Sequence, residues 1–214
     1  MRILFFDTSC DFILVGLYTI GDSDIREDYF YSANHPREAS FRLITDIQTG
    51  LNAINLDKPD VIVCCSGPGS FTGIRISVST ARNLSQIWKI PTLGIDTLEM
   101  YSAYYSEYYK SPTIVCLDGK QKKVFAGYSD GQTYKGTYDA LPSDIPNLFN
   151  EEYQNSIVIS DTDLVAHTQD LLSSLPNPIS ILKQKLSIIR NLNLANNDYS
   201  SLLPKYMRET YANK

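Results

Sequence analysis

The chain carries only two histidines, His35 and His167, and they stand 132 positions apart, so no H-x-x-x-H or H-E-x-x-H metal pair exists. Its four cysteines, Cys10, Cys64, Cys65 and Cys116, include no C-x-x-C spacing. That removes a zinc site or redox dithiol of this type and leaves them as small apolar core residues of a reducing compartment. No apolar run approaches the roughly 20 residues of a membrane-spanning helix. The stretch Met1-Arg2-Ile3-Leu4-Phe5-Phe6-Asp7 meets a carboxylate too early for a secretory signal, so a cytoplasmic location without membrane contact is expected. Basic clusters are scarce too: 19 Lys and Arg stand against 24 Asp and Glu, and the densest basic stretch is Lys120-Gln121-Lys122-Lys123. A protein that grips nucleic acid unaided concentrates positive charge on its phosphate-facing surface, which argues against that role here. None of the 11 glycines lies beyond Gly136, so the last third of the chain lacks the residues that let a backbone close around a nucleobase.

What is present is an ordinary globular composition. With 214 residues and 43% hydrophobic content, the chain can form one large domain or two compact lobes, each with its own core. Ile3-Leu4-Phe5-Phe6 reads as a buried strand ending in the polar turn Asp7-Thr8-Ser9, and residues 12–18 follow too soon for a helical crossover, which makes the pair antiparallel. A third strand is expected at Ile25–Tyr31 after the Gly21-Asp22-Ser23 turn. From Pro36 to Asn55, Ala39, Leu43, Ile44, Ile47, Leu51 and Ile54 recur at helical spacing. Val61–Cys65 reads as a buried strand and Phe71–Trp88 as a second helix. Tyr101, Tyr104, Tyr105, Tyr108 and Tyr109 share one helical face with no cluster of Arg or Lys around them, Lys110 alone standing at the end, so packing on a sheet is expected rather than base stacking.

Residues 3–18 superpose on residues 114–129 at a constant offset of 111, bringing Ile3 onto Ile114, Asp7 onto Asp118, Ile13 onto Val124 and Gly16 onto Gly127. Each copy is an apolar strand ending in Asp, then a turn, then a second apolar strand. After the second copy, strands at Gln132–Tyr138 and Ile157–Ser160 and helices at Ser143–Asn150 and Asp161–Ser174 are expected. The order repeats the first half in reduced form and predicts two pseudo-symmetric lobes with a cleft between them.

Gly67-Pro68-Gly69-Ser70-Phe71-Thr72-Gly73 links a buried strand to a helix, where backbone N–H groups can cradle an anion. A Walker loop would need Gly in place of Thr72 followed by Lys, and a dinucleotide fingerprint would need its third Gly one residue earlier, so neither fits. The structural reading is a tight turn through Gly67 and Gly69, with Ser70 or Thr72 capping the helix. That helix has two apolar stripes: Phe71, Ile74, Val78, Ala81 and Trp88, and roughly opposite them Ile76, Thr80, Leu84 and Ile87. One stripe faces its own lobe, and the other needs cover from elsewhere in the chain or from a partner.

This loop, together with Asp7-Thr8-Ser9, Pro36-Arg37-Glu38, residues 91–98, Leu117-Asp118 and Pro204-Lys205-Tyr206-Met207-Arg208, resembles the TsaB (YeaZ) family. Its members are bacterial subunits of the machinery that installs threonylcarbamoyl on the adenosine beside the tRNA anticodon. The resemblance implies an α/β fold of two ribonuclease-H-like lobes of the acetate kinase/sugar kinase/Hsp70/actin type. The expected division is a first lobe over 1–110, a reduced second lobe over 111–202 and a tail over 203–214. It further implies a non-catalytic subunit without cofactor or metal, in which Asp7, Thr8, Ser9, Asp118 and Gly119 are vestiges of phosphate turns. The two first-lobe helices would pack on TsaD as a four-helix bundle, with Leu43, Ile47, Ile74 and Val78 as anchors and Arg75 and Arg82 at the rim. TsaE would be a further partner, tRNA would be met only through the complex, and the same surface would form a homodimer when TsaD is absent. The alternative is a small-molecule kinase or ATPase of the same fold, with Asp7 and Asp118 around Mg²⁺. A metallopeptidase is disfavoured by the absent histidine pair.

Overall fold

The computed structural model describes residues 1–22, 24–35, 37–166, 169–171 and 175–208. Ser23, Pro36, His167 and parts of the helix expected at 161–174 lie outside the described residues. Arg2–Asp7 (β1), Phe12–Ile20 (β2) and Ile25–Asn34 (β3) form an antiparallel meander, and Val61–Gly67 (β4) and Thr92–Asp96 (β5) add to it in parallel. The sheet order is β3-β2-β1-β4-β5. Thr113–Asp118 (β6), Val124–Ser129 (β7), Tyr134–Ala140 (β8), Ile157–Ser160 (β9) and Gln169–Asp170 (β10) build a second sheet in the order β8-β7-β6-β9-β10, which reproduces the first.

The duplication is therefore structural, but its register needs correction. Asp7 pairs with Leu14, whereas Asp118 pairs with Val124, so the second hairpin turn is one residue shorter. The constant offset of 111 aligns β1 with β6 and slips by one along β7. Gly16 and Gly127 are not equivalent: Gly16 opposes Phe5, and Gly127 opposes Val115 rather than Cys116.

Alternation along β1 divides the interior into layers. Leu4 and Phe6 point to a core beneath the helices Ala39–Ala53 (α1) and Phe71–Trp88 (α2), while Ile3 and Phe5 join a core between the two sheets. That central core contains Tyr101 and Tyr105 of the helix Thr97–Tyr109 (α3) and Val115, Leu117 and Ile159 of the second sheet. The tyrosine face packs as expected at its start and emerges at its end, where Tyr108 is exposed. The outer face of the second sheet is covered by Ile145–Phe149 (α4), followed by the single turn Glu151–Gln154 (α5).

One expectation is corrected here. Described residues between β9 and β10 form turns instead of the helix expected at Asp161–Ser174. There, Ser160 bonds across Thr162 in both directions, and Gln169 resumes parallel pairing opposite Ile159. The part of the chain from 175 to 202, grouped with the second lobe on sequence grounds, packs largely on first-lobe elements. Ile179–Gln184 (α6) lies against α3 and β3, Arg190 of Leu186–Arg190 (α7) donates to the Gly21 and Asp22 carbonyls, and Asn197 accepts from Thr92 N–H. Among the described residues, no helix is long and apolar enough to cross a membrane.

Candidate functional site

The ends of β1, β4, β6 and β9 converge on a cleft of about 490 Å³. Its walls are the Ser9–Phe12 turn, the glycine loop, the Asp118–Gln121 turn, Asp161 and the segment from Lys205 to Arg208. The duplicated hairpins, expected to face one cleft between the lobes, line opposite sides of one space.

The glycine loop serves packing as much as any ligand. Gly67 and Gly69 adopt φ of 117° and 156°, in the left-handed region that favours glycine. A Cβ on Gly69 would overlap the Ser9 carbonyl oxygen, and one on Gly73 would overlap that of Thr8. Ser70 N–H bonds the Ser9 carbonyl at 2.7 Å, and the Thr8 hydroxyl bonds the Gly73 carbonyl at 2.7 Å. The Asp7-Thr8-Ser9 turn is therefore clamped against the start of α2. Ser70 caps that helix by accepting from Gly73 N–H, as its position predicts.

Asp7 is fully buried, and both its carboxylate oxygens accept internal bonds, one from Ser9 N–H at 2.8 Å and one from Tyr101 O–H at 2.5 Å. Burial outweighs these bonds and raises its pKa above the ordinary carboxylate range. An acid with a raised folded-state pKa stabilises the fold most below its unfolded value, about 4, and loses that contribution as pH climbs through the folded value. Asp7→Asn keeps an acceptor for Ser9 and removes the buried charge. It is expected to leave stability at pH 7 equal or higher and to flatten the acid-side pH profile in urea titrations. A loss above about 1 kcal/mol, with the profile unchanged, would mean that the ionised carboxylate is required.

The second turn is wetter. Asp118 pairs with Lys120, whose side chain and backbone N–H together pull the carboxyl down against the upward effect of burial. Asp161 accepts from Asp118 N–H at 2.7 Å. Although Asp161 is exposed as a residue, its carboxyl is shielded inside the cleft, and burial, aided by the Asp118 charge, holds it at about 6. The pseudo-equivalent aspartates thus differ: Asp7 is sealed by Tyr101, and Asp118 faces the cleft. Among the described residues, no three His, Cys, Asp or Glu side chains are placed to hold a metal ion together.

The expected anchor residues require correction as an accessible surface. Leu43, Ile47, Ile74 and Val78 are buried in the core between α1, α2 and the first sheet. Their stripe is the most continuous one, and the chain's own sheet covers it. The outward faces instead carry Phe41, which is 82% exposed, with Ile44 on α1 and Ile87 on α2. Ile76 and Leu84 are partly buried beside them. Arg75 is exposed but engaged, stacked 3.8 Å from the Phe71 ring centre and donating to Tyr206 O–H, and Arg82 is half-buried. Phe41 and Ile87 were legible in the sequence as large apolar residues standing off the dominant stripe.

Two copies of a five-stranded 3-2-1-4-5 sheet around a cleft define the acetate kinase/sugar kinase/Hsp70/actin architecture. YeaZ from Pseudomonas aeruginosa superposes with a TM-score of 0.76 at 17% identity, over 96% of this chain and 99% of that one, a likeness of fold. Residues 36–187 match the family model described as TsaD, tRNA N6-adenosine threonylcarbamoyltransferase. The chain belongs to this family, on its TsaB (YeaZ) branch. The tRNA threonylcarbamoyladenosine biosynthesis protein TsaB of Buchnera aphidicola subsp. Schizaphis graminum is 34% identical over 128 residues, 58% of this chain. That match spans 59% of the Buchnera protein, less than two thirds of its length. TsaB of Bacillus subtilis is 26% identical over 201 residues, 90% of this chain and 75% of that protein.

Proposed function

We propose that this chain is a non-catalytic subunit of the tRNA threonylcarbamoyladenosine machinery that binds TsaD and keeps it competent. The observation that carries this reading is that both helices expose large apolar side chains, Phe41 at 82% and Ile44 at 55% on α1 and Ile87 at 71% on α2. The names of the Buchnera and Bacillus relatives supply the pathway. The helix pair packs against an equivalent pair of TsaD, and against a second copy of this chain when TsaD is absent. Catalysis belongs to TsaD and ATP hydrolysis to TsaE, while tRNA is met through the complex. The kinase alternative needs Asp7 at a metal or phosphate, and the enclosure of both its oxygens weighs against that use.

Phe41→Asp and Ile87→Asp place charge on the proposed contact without touching either buried core. Each is expected to keep the thermal midpoint within a few degrees and to weaken association with TsaD from the same organism by about 10- to 1000-fold, since a buried apolar anchor contributes roughly 1.5–3 kcal/mol and charge burial adds to the loss. Analytical ultracentrifugation and calorimetry measure both effects. Complexes of undiminished strength from both variants would reject this face, and turnover of ATP by the isolated chain would reject the non-catalytic role.

A further inference from the structure

The last described segment crosses from one lobe to the other within four residues. Leu202 is buried in the core under α1 and α2. Lys205 then donates its N–H to the Ser66 carbonyl at 2.7 Å, near the end of β4, and its ammonium pairs with Asp96 at the end of β5. Asp96 itself accepts from Thr137 of β8 at 2.6 Å, so Lys205 sits at a seam between the sheets. Tyr206 packs against Phe71 with tilted rings whose centres are 5.0 Å apart and accepts from Arg75 at 3.0 Å. Arg208 then grips second-lobe groups, with two nitrogens on the Asp139 carboxylate and a third donating to the Gly119 carbonyl at 2.9 Å. The two-pronged arginine–carboxylate pair is the directional, charge-assisted kind.

We propose that residues 204–208 are a latch: they tie the two lobes across the mouth of the cleft and regulate access to it, with Arg208–Asp139 and Tyr206–Arg75 as the two catches. Both catches belong to the segment that lines the cleft beside the glycine loop and the Asp118 turn. Glycines make room for it on either side. A Cβ on Gly67 would stand 2.5 Å from the Lys205 carbonyl oxygen, and one on Gly119 3.3 Å from an Arg208 nitrogen. The central core and α3 hold the sheets together by apolar burial, whereas the latch is tied mainly by polar contacts, with Lys205 facing solvent and Met207 only partly buried against the central core, so it opens without withdrawing a fully buried side chain from either core.

The chain contains its own reporter. Cys10 lines the cleft and is half-buried, while Cys64, Cys65 and Cys116 are buried in the cores. Alkylation with iodoacetamide, mapped by peptide mass spectrometry, is to be followed in the full chain and in Arg208→Ala, Asp139→Asn and the charge-swapped pair Arg208→Asp/Asp139→Arg. The expected result is a Cys10 rate roughly tenfold faster in each single variant, with the other three thiols unmodified and the rate returned toward that of the parent in the swapped pair. Parent-like Cys10 rates in both single variants would overturn the latch. Simultaneous labelling of all four cysteines would do so as well, because the contact would then be an ordinary support of the whole fold.

Discussion

Ile74→Asp is expected to unfold the chain, while Ile87→Asp, on the same helix, leaves it folded. Ile74 is 2% exposed and packs in the core formed by Leu4, Phe6, Leu43, Ile62 and Val78. An aspartate there loses the burial of an isoleucine, roughly 1.5–3 kcal/mol, and strands a carboxylate without a cation, for several kcal/mol more. Even if the carboxyl takes up a proton, the desolvation cost persists as a shifted pKa. The sum is comparable to the roughly 5–15 kcal/mol that separates most folded domains from their unfolded state. Circular dichroism and urea unfolding check the pair: loss of the cooperative transition for Ile74→Asp, and a midpoint close to the parent for Ile87→Asp. A folded, cooperative Ile74→Asp variant would mean that α2 is rotated from the orientation described here, and the first set of anchor residues would return as candidates.

The same contrast explains what was legible in the sequence. Short apolar runs with sharp polar ends, such as residues 3–6 before Asp7, 61–65 before the glycine loop, and Ile157–Ser160, appear as strands where expected. Phe71–Trp88 is bounded as read because Ser70 supplies a helix cap and Lys89 takes a left-handed C-terminal conformation. The orientation of α1 and α2 was not legible from the strength of a stripe. The strongest stripe on each surface helix is claimed by the protein's own sheet, and the large apolar residues left exposed are Phe41, Ile44 and Ile87. Segment 175–208 spaces Ile179, Leu182, Leu186 and Ile189 as a helix face and buries Ile181, Leu182 and Ile189 in the central core, but where it docks is not written locally: its polar groups meet residues far away in sequence, as Lys205 meets Asp96 at a separation of 109, and no local pattern encodes such pairs. Likewise, the two aspartates of the duplicated hairpins look alike in sequence and differ in chemistry because Tyr101 closes over only one of them.

Gly73→Ala is expected to be costly, though less so than the buried aspartate, even though helix propensity alone favours alanine by about 1 kcal/mol. Gly73 lies in the first turn of α2, and its missing side chain is the space taken by the Thr8 backbone. A Cβ there would overlap the Thr8 carbonyl oxygen and lie 2.9 Å from its carbonyl carbon, and neither is the free end of a movable side chain. Either α2 or the Asp7-Thr8-Ser9 turn must withdraw. The turn is held by β1 and by Asp7, and the helix by Ser70 N–H on Ser9 and by the Thr8 hydroxyl on Gly73 and, at 3.1 Å, on Ser77. Overpacking of this kind costs about 1–3 kcal/mol, and breaking the buried Thr8 bonds adds roughly 1–3 kcal/mol, so a net loss near 3 kcal/mol is expected after the propensity gain. Gly21→Ala is the control, since a Cβ there would meet nothing nearer than the Asp24 carbonyl oxygen at 3.7 Å. Urea titrations should place it within about 0.5 kcal/mol of the parent. Were Gly73→Ala to match that control, the loop would not be clamped on the turn, and its glycines would have to be explained by a ligand approaching the backbone in the cleft.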